Sequence, residues 1–168
     1  MLVTARFLQG NDLRESSKMV LIPPSSSVAL ITGAASGIGR ATAIAFAEEG
    51  VKRLILTDLN PEGLRSLSSE LKSLDSGIQT QLVEMDTSSE SDVERMVSEG
   101  VKAFGAIHYC VNCAGITSSP RVRSHELSVE AWDRVQNVNL RGVWLCQRAE
   151  IAQMLKQEAD LEMRCLAR

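Results

Sequence analysis

The chain has 168 residues, of which 44% are hydrophobic and 23% charged, and this composition predicts one globular domain with a core and hardly two. A formal net charge of −3 means that the chain has no excess of positive charge with which to bind nucleic acid. No apolar run approaches the length of a membrane span. We therefore expect neither nucleic acid nor membrane as a partner. The cysteines form no secreted disulfide framework, which favours a reducing, cytoplasmic location.

Residues 1–27 are predicted to be an extension and linker outside the folded domain. They mix charges of both signs and end in Pro23-Pro24-Ser-Ser-Ser27, a composition typical of linkers. The segment lacks the apolar centre of a signal peptide, and its acids Asp12 and Glu15 argue against a transit peptide. Met19 stays open as an alternative start.

The first predicted strand leads into a glycine-rich turn and a helix, between Val28 and Gly50. This order brings free backbone N–H groups and a helix N-terminus to one point, which suits a pyrophosphate. Each glycine has a reason to lack a side chain: a tight turn, close approach to phosphate, or close packing of helix on strand. The alternative is a plain turn without a ligand. The glycines are Gly33, Gly37 and Gly39.

A second apolar run, Leu54-Ile-Leu-Thr-Asp58, ends in an acid 19 positions after Gly39. A dinucleotide-binding turn is typically followed about 20 positions later by an acid that hydrogen-bonds the adenosine ribose. Asp58 would repel a 2′-phosphate, and Ser36 supplies no positive charge to attract one. The sequence therefore predicts NAD as the cofactor, in preference to NADP.

Strands and helices continue to alternate after Asp58. Asn60-Pro61 predicts a capped helix start, and a leucine stripe marks the buried face of that helix. Ile78 to Met85 is the third predicted strand and Ala106 to Val111 the fourth, with a helix between them that ends at Gly105. This alternation predicts four parallel strands in a Rossmann-like doubly wound α/β sheet. The leucines are Leu64, Leu67, Leu71 and Leu74.

Two cysteines lie three positions apart at the end of the fourth strand, in Cys110-Val-Asn-Cys113. One interpretation is a redox pair or half of a zinc site. The other, which we favour, is buried and inert thiols, since no second such pair exists. No metal site is predicted.

The next helix is predicted to start near Ser128. One face carries residues at steps of three and four, and a buried amide on that face needs hydrogen-bond partners, because leaving it unpaired costs about 1–3 kcal/mol. Asn139 is that amide. It could specify helix register or a partner interface, or it could belong to a catalytic site. The face comprises Trp132, Val135, Asn139, Gly142, Cys146 and Ala149.

Together these motifs resemble the short-chain dehydrogenase/reductase family, from about Val28 to about Glu158. The resemblance rests on Thr32-Gly33-x-x-x-Gly37-x-Gly39, Asp58, Asn112-Cys113-Ala114-Gly115 and Asn139. The family has an asparagine where this chain has Cys113. The resemblance implies hydride transfer between a dinucleotide and a small alcohol or ketone. It also implies the strand order third, second, first, fourth, and a homo-oligomer for a full-length form.

The resemblance assigns roles to individual residues. It implies that Asp86 contacts the adenine ring, although a turn or capping role is equally open. Asn112-Cys113-Ala114-Gly115 would stabilise the sheet and line the cofactor cleft. Asn139 would be catalytic, because in the family this asparagine kinks its helix and holds a water in a proton relay. The predicted cofactor-binding residues are Thr32, Gly33, Ser36, Gly37, Ile38, Gly39, Asp58, Asp86, Asn112, Ala114 and Gly115.

The remaining catalytic groups of the family are a serine, then a tyrosine with a lysine four residues later. The only tyrosine here is Tyr109, and Cys113 stands four residues after it. We therefore expect residues 28–157 to be a partial Rossmann domain, followed by a tail over 158–168, and the chain to be inactive alone. Three explanations stay open: a fragment or curtailed gene product of an oxidoreductase, a non-catalytic nucleotide-binding module, or a half-domain completed by another chain. In the isolated chain the fourth strand would be an exposed sheet edge.

Overall fold

The computed structural model describes the backbone of residues 2–5 and all atoms of residues 25–118 and 121–157. Its central element is one five-stranded sheet with the order β1-β5-β2-β3-β4. The strands are β1 Leu2–Ala5, β2 Val28–Thr32, β3 Arg53–Asp58, β4 Gln79–Glu84 and β5 Tyr109–Asn112. Strands β2 to β5 are parallel, which confirms the predicted sheet and its strand order.

Helices connect the parallel strands. They are α1 Gly37–Glu48, α2 Pro61–Leu74, α3 Glu90–Phe104, α4 Val129–Gln136 and α5 Val143–Met154, with a π-helical turn over Asn137–Gly142 and a short 3-10 helix over Ser124–Glu126. The caps follow the sequence signals: the Asn60 side chain accepts a hydrogen bond from Gly63 N at 3.1 Å, and Gly105 ends α3 in the left-handed conformation with φ +83°.

The core lies on both faces of the sheet. Along β2, Val28 and Leu30 belong to one buried cluster together with α3 and α5, whereas Ala29 and Ile31 belong to a second cluster together with α1 and α2. All five residues of β2 are buried, as expected for a parallel strand covered on both faces. The molecule is therefore a three-layer α/β structure, and the carboxyl ends of β2, β3, β4 and β5 share one edge.

The segment 1–27 was expected to lie outside the fold, and the structure corrects this for residues 2–5. Strand β1 pairs antiparallel with β5, with Leu2 opposite Asn112 and Ala5 opposite Tyr109. The edge of β5 that was expected to be exposed is therefore paired, which satisfies backbone groups that an open edge leaves bare. The domain limits at 28, 157 and 158 stay predictions.

The predicted buried face of the helix after Ser128 is partly wrong. Gly142 and Cys146 are buried, but Trp132 is 56% exposed and Asn139 is also exposed. No residue of α4 is buried. The π-helical turn over Asn137–Gly142 also adds a residue to one turn, which rotates the faces of α5 relative to those of α4. A face traced at constant helical spacing therefore does not continue across it.

Among the described residues, no helix combines the length and the apolar character that crossing a bilayer requires.

Candidate functional site

The loop between β2 and α1 is a turn into which side chains do not fit. A Cβ on Gly33, whose φ is +67°, would lie 2.8 Å from both N and Cα of Ala114, and a Cβ on Gly39 would overlap the carbonyl oxygen of Gly33. Gly37 differs, because its φ is +51° but a Cβ there would meet no described atom within 4 Å. Two of the glycines therefore permit close packing, and the third borders open space.

The first turn of α1 begins without a side-chain cap. Ser36 occupies the N-cap position but makes no side-chain cap hydrogen bond, whereas Asn60, Ser89 and Ser128 cap α2, α3 and α4. The first N–H groups of a helix have no partner within the helix. Ser36, Gly37 and Ile38 are exposed, so this helix start faces solvent with its amides and the positive end of its dipole.

Asp58 lies at the end of β3 and is bonded to the same loop. Its Oδ2 accepts a hydrogen bond from Ala35 N at 3.0 Å, and its Oδ1 accepts one from Asn60 N at 3.0 Å. Each carboxylate oxygen can accept two hydrogen bonds, so these bonds leave acceptor capacity for a ligand hydroxyl. The structure thus places the predicted ribose-binding acid beside the predicted phosphate loop.

A buried hydrogen-bond path joins β2 to the segment after β5. Thr32 Oγ1 accepts hydrogen bonds from Cys113 N at 3.1 Å and Ala114 N at 3.2 Å, and it donates to Asn112 Oδ1 at 3.4 Å. Asn112 Nδ2 in turn donates to Glu150 Oε2 at 2.9 Å. These contacts hold the backbone of Ala114 against Gly33, so the glycine loop is supported from β5 as well as from β2 and β3.

Glu150 is the residue at this site that sequence analysis missed. It is 0% exposed, and burial raises its pKa from 4.5 to about 7, although the bonds from Asn112 and Cys110 lower it. Its Oε1 has no hydrogen-bond partner among the described residues. A signal was present: Gly142, Cys146 and Glu150 follow one another at steps of four, the spacing of a single helix face.

The surroundings of Cys110 and of Cys113, which follows β5, favour the protonated thiol. Burial raises the pKa of the Cys110 thiol well above its usual value, and it raises that of Cys113 as well. Thiolates rather than thiols react and bind metals. Cys110, Cys113 and Cys146 are all free, and these findings favour the interpretation of inert core thiols over a redox pair.

Asp86 has the contacts of a turn residue. Its Oδ1 accepts hydrogen bonds from Ser88 N at 2.8 Å and Ser88 Oγ at 2.7 Å, and its own N–H donates to Asp92 Oδ2 at 2.9 Å. It follows β4, the strand next to β3, on the same edge of the sheet. The structure supports the turn interpretation; a contact with adenine stays a prediction.

Asn139 sits in the π-helical turn and is bonded to the loop after β5. Its Oδ1 accepts a hydrogen bond from Ile116 N at 2.8 Å, and its Nδ2 donates to Ile116 O at 2.8 Å. A Cβ on Gly115 would lie 3.3 Å from the Asn139 Oδ1. The expected departure from regular α-helix is therefore present. The amide has its partners although it is exposed, and its role in holding a water stays a prediction.

Most of the predicted site residues thus fall into one connected group, and Asp86 stands apart from it. Around the glycine loop, contacts join Thr32, Gly33, Asp58, Asn112 and Ala114. Asn139 joins this group through Gly115 and Ile116. Asp86 stands at the end of β4, and its hydrogen bonds go to Ser88 and Asp92 instead.

Comparison with known proteins identifies this arrangement. The family model described as short chain dehydrogenase matches residues 27–160. Cyclohexanol dehydrogenase of Acinetobacter sp. is 36% identical over 131 residues, which cover 78% of this chain and 51% of that protein. The 3-oxoacyl-[acyl-carrier-protein] reductase of Thermotoga maritima is 39% identical over 131 residues, covering 77% of this chain and 51% of that protein.

A solved structure agrees with these sequence matches. The crystal structure of levodione reductase superposes with a TM-score of 0.73 at 33% identity, covering 79% of this chain and 50% of that chain. The chain thus spans about half the length of the relatives it matches. Since the family match covers most of the chain and includes the whole glycine loop, this chain belongs to the short-chain dehydrogenase family of oxidoreductases.

Proposed function

We propose that this chain binds NAD and forms the dinucleotide-binding part of an oxidoreductase that transfers hydride between NAD and a small alcohol or ketone in the cytoplasm. The observation that carries the proposal is the uncapped start of α1 at a glycine loop braced by three strands. The names of two relatives, cyclohexanol dehydrogenase and levodione reductase, support an alcohol or ketone as the substrate class.

The residues fit a dinucleotide in charge and shape. The amides at Gly37, Ile38 and Gly39 would bind the pyrophosphate, with the dipole of α1 adding to the attraction. Asp58 would accept hydrogen bonds from the adenosine ribose. When bound, the nicotinamide would supply or accept the hydride. Asn139 would position a water for proton transfer, and Asp86 would contact the adenine.

The charge of Asp58 supports NAD over NADP. The Asp58 carboxylate is held by its hydrogen bond from Ala35 N, where a 2′-phosphate would approach. Two negative charges that lie close together repel each other. Ser36 adds no positive charge to offset that repulsion.

Two glycines with matched backbones test the nucleotide site. Gly37 and Gly105 both have positive φ, +51° and +83°, and a Cβ at either would meet no described atom within 4 Å. Alanine should therefore cost each position a similar backbone strain, about 1 kcal/mol of stability. Only Gly37→Ala places a methyl group where the pyrophosphate would lie, so we expect NADH affinity to fall at least tenfold in this variant alone.

NADH fluorescence titration of the 168-residue chain and both variants measures the effect. Urea unfolding run alongside checks that the two variants lose comparable stability. Equal loss of NADH affinity in Gly37→Ala and Gly105→Ala would trace the effect to strain, and the assignment of the loop would then be wrong. A wild-type chain without NADH affinity would overturn the proposal itself.

A second candidate is a nucleotide-binding half-domain completed by another polypeptide. It is favoured by the apolar side chains that α5 and its end expose at Trp144, Ile151 and Leu155, which lie seven and then four positions apart on one helical face. Light scattering across a concentration series distinguishes the candidates: a monomer at all concentrations would argue against completion by a second copy of this chain.

A further inference from the structure

Glu150 is a carboxyl group within the core, distant in sequence from every predicted site residue except Asn139. No surface of the residue is exposed, and its hydrogen bond to Asn112 Nδ2 spans 38 positions of sequence. Burying a carboxyl group carries a desolvation cost. Its Oε2 accepts the hydrogen bond from Asn112, and Asn112 is bonded in turn to Thr32 beside the glycine loop.

The contact decides which way the Asn112 side chain is turned. An asparagine amide presents an acceptor on one side and a donor on the other. Because Nδ2 donates to Glu150 at 2.9 Å, Oδ1 is directed at the Thr32 hydroxyl and accepts its proton at 3.4 Å. With Glu150 ionised, a reversed amide would direct its NH₂ group at Thr32 and leave its oxygen facing carboxylate oxygens, which cannot donate a hydrogen bond.

The orientation of Asn112 in turn determines what Thr32 can accept. A hydroxyl has one proton and two lone pairs. With its proton given to Asn112, Thr32 Oγ1 accepts both Cys113 N at 3.1 Å and Ala114 N at 3.2 Å. A reversed amide would add a third donor to the same oxygen, and one of the backbone bonds would be lost. Ala114 is the residue whose backbone packs on Gly33.

We propose that Glu150 is a positioning residue of the dinucleotide site, because it holds Asn112 in the orientation that lets Thr32 anchor the backbone of Ala114 beside the glycine loop. Glu150 acts through Asn112 and Thr32 and touches no ligand itself. This inference rests on the proposed nucleotide site.

Two substitutions at one position separate orientation from packing. Glu150→Gln keeps an oxygen that can accept from Asn112 Nδ2, whereas Glu150→Met keeps the volume and removes the acceptor. We expect Glu150→Met to weaken NADH binding at least tenfold and Glu150→Gln to bind within threefold of the wild type. Cys146→Ala is the control, because this neighbour on the same buried face takes no part in the path, and we expect it to bind NADH within threefold while losing stability.

Nuclear magnetic resonance of the free chain provides a readout that needs no nucleotide. The backbone amide signals of Cys113 and Ala114 should shift in Glu150→Met and match the wild type in Glu150→Gln. In the wild type, the Asn112 side-chain amide and the Ala114 amide should titrate together near the Glu150 pKa of about 7. Glu150→Gln should abolish that common titration.

The outcomes are distinguishable. If the wild type binds NADH and Glu150→Met binds it equally well, the positioning role is overturned while the proposed function stands. If the wild type does not bind NADH, the proposed function fails, and the amide signals decide the positioning role. The positioning role is supported if the chemical shift of the Ala114 amide changes with the protonation or substitution of Glu150. It is overturned if that chemical shift stays the same. The wild-type titration still gives this answer where Glu150→Met does not fold.

Discussion

At the scale of single residues, we expect Asp58 to favour NAD over NADP. Replacing it by asparagine removes the charge but keeps one oxygen for the hydrogen bond from Ala35 N. We expect Asp58→Asn to shift the ratio of NADPH to NADH affinity about tenfold towards NADPH, because a repulsion of roughly 1.4 kcal/mol would be lost. Parallel fluorescence titrations with the two nucleotides measure it.

Glu62→Gln is the matched control for this substitution. Glu62 is an exposed residue in the first turn of α2, so its change removes the same charge four positions along the chain. A similar shift in both variants would reflect the general charge of the surface and would remove Asp58 from its proposed role.

Glu150 makes stability depend on pH. Its pKa is about 7 in the folded chain against an ordinary 4.5, so the folded state binds the proton more tightly than the unfolded state does. The stability that protonation contributes is complete below pH 4.5 and is lost as the pH rises to about 7. The neighbouring thiols stay protonated in this range, since burial raises the pKa of Cys146 to about 12 and that of Cys110 well above its usual value.

We expect the free energy of unfolding of Glu150→Gln, relative to the wild type, to rise between pH 4.5 and pH 7 by on the order of 3 kcal/mol and then to level off. Urea unfolding at a series of pH values measures this difference. A difference that does not change with pH would show that Glu150 is not titrating in the core.

At the scale of elements, the helix caps offer a direct comparison. Asn60 accepts a hydrogen bond from Gly63 N at the start of α2, whereas Ser36 makes no side-chain cap bond at the start of α1. We expect Asn60→Ala to cost about 1 kcal/mol of stability and Ser36→Ala to cost a few tenths at most. Urea unfolding compares the two, and an equal cost would mean that α1 is capped by its own serine after all.

Most elements were predictable because their signals are local. Asn60-Pro61 and Ser128 cap helices, and Gly105 ends one, where the sequence places them. The glycine loop was recognisable from the spacing of Gly33, Gly37 and Gly39. These features depend on a few adjacent residues, whose backbone preferences and capping bonds act without the rest of the fold.

The features that sequence analysis missed depend on distant parts of the chain. Strand β1 pairs Leu2 with Asn112, and nothing in a four-residue run indicates such a partner. The π-helical turn over Asn137–Gly142 breaks the periodicity on which the face through Trp132 was drawn. Glu150 was on a visible helix face, but its bond to Asn112 became evident only from the packing of α5 on β5.

At the scale of the whole molecule, we expect the chain to bind NAD without turning over an alcohol. No Tyr-x-x-x-Lys occurs among the 168 residues, and general acid–base assistance is commonly worth about 10²–10⁴-fold. We expect the 168-residue chain to show no steady alcohol-dependent reduction of NAD above a protein-free blank, followed by absorbance of NADH. Steady reduction that Asn139→Ala abolishes would show that the proton-transfer group lies within this sequence.

The bonds between Thr32 and Ala114 also bear on how the chain folds. The two residues are 82 positions apart, so the packing of Ala114 on Gly33 requires β5 to dock beside β2, and contacts of such long range slow folding. A dinucleotide held there would be a ligand of the native state alone. At a hundredfold excess over its Kd, mass action would then stabilise the native state by about 2.7 kcal/mol, so the cofactor would act on the folding equilibrium of the chain as well as on its chemistry.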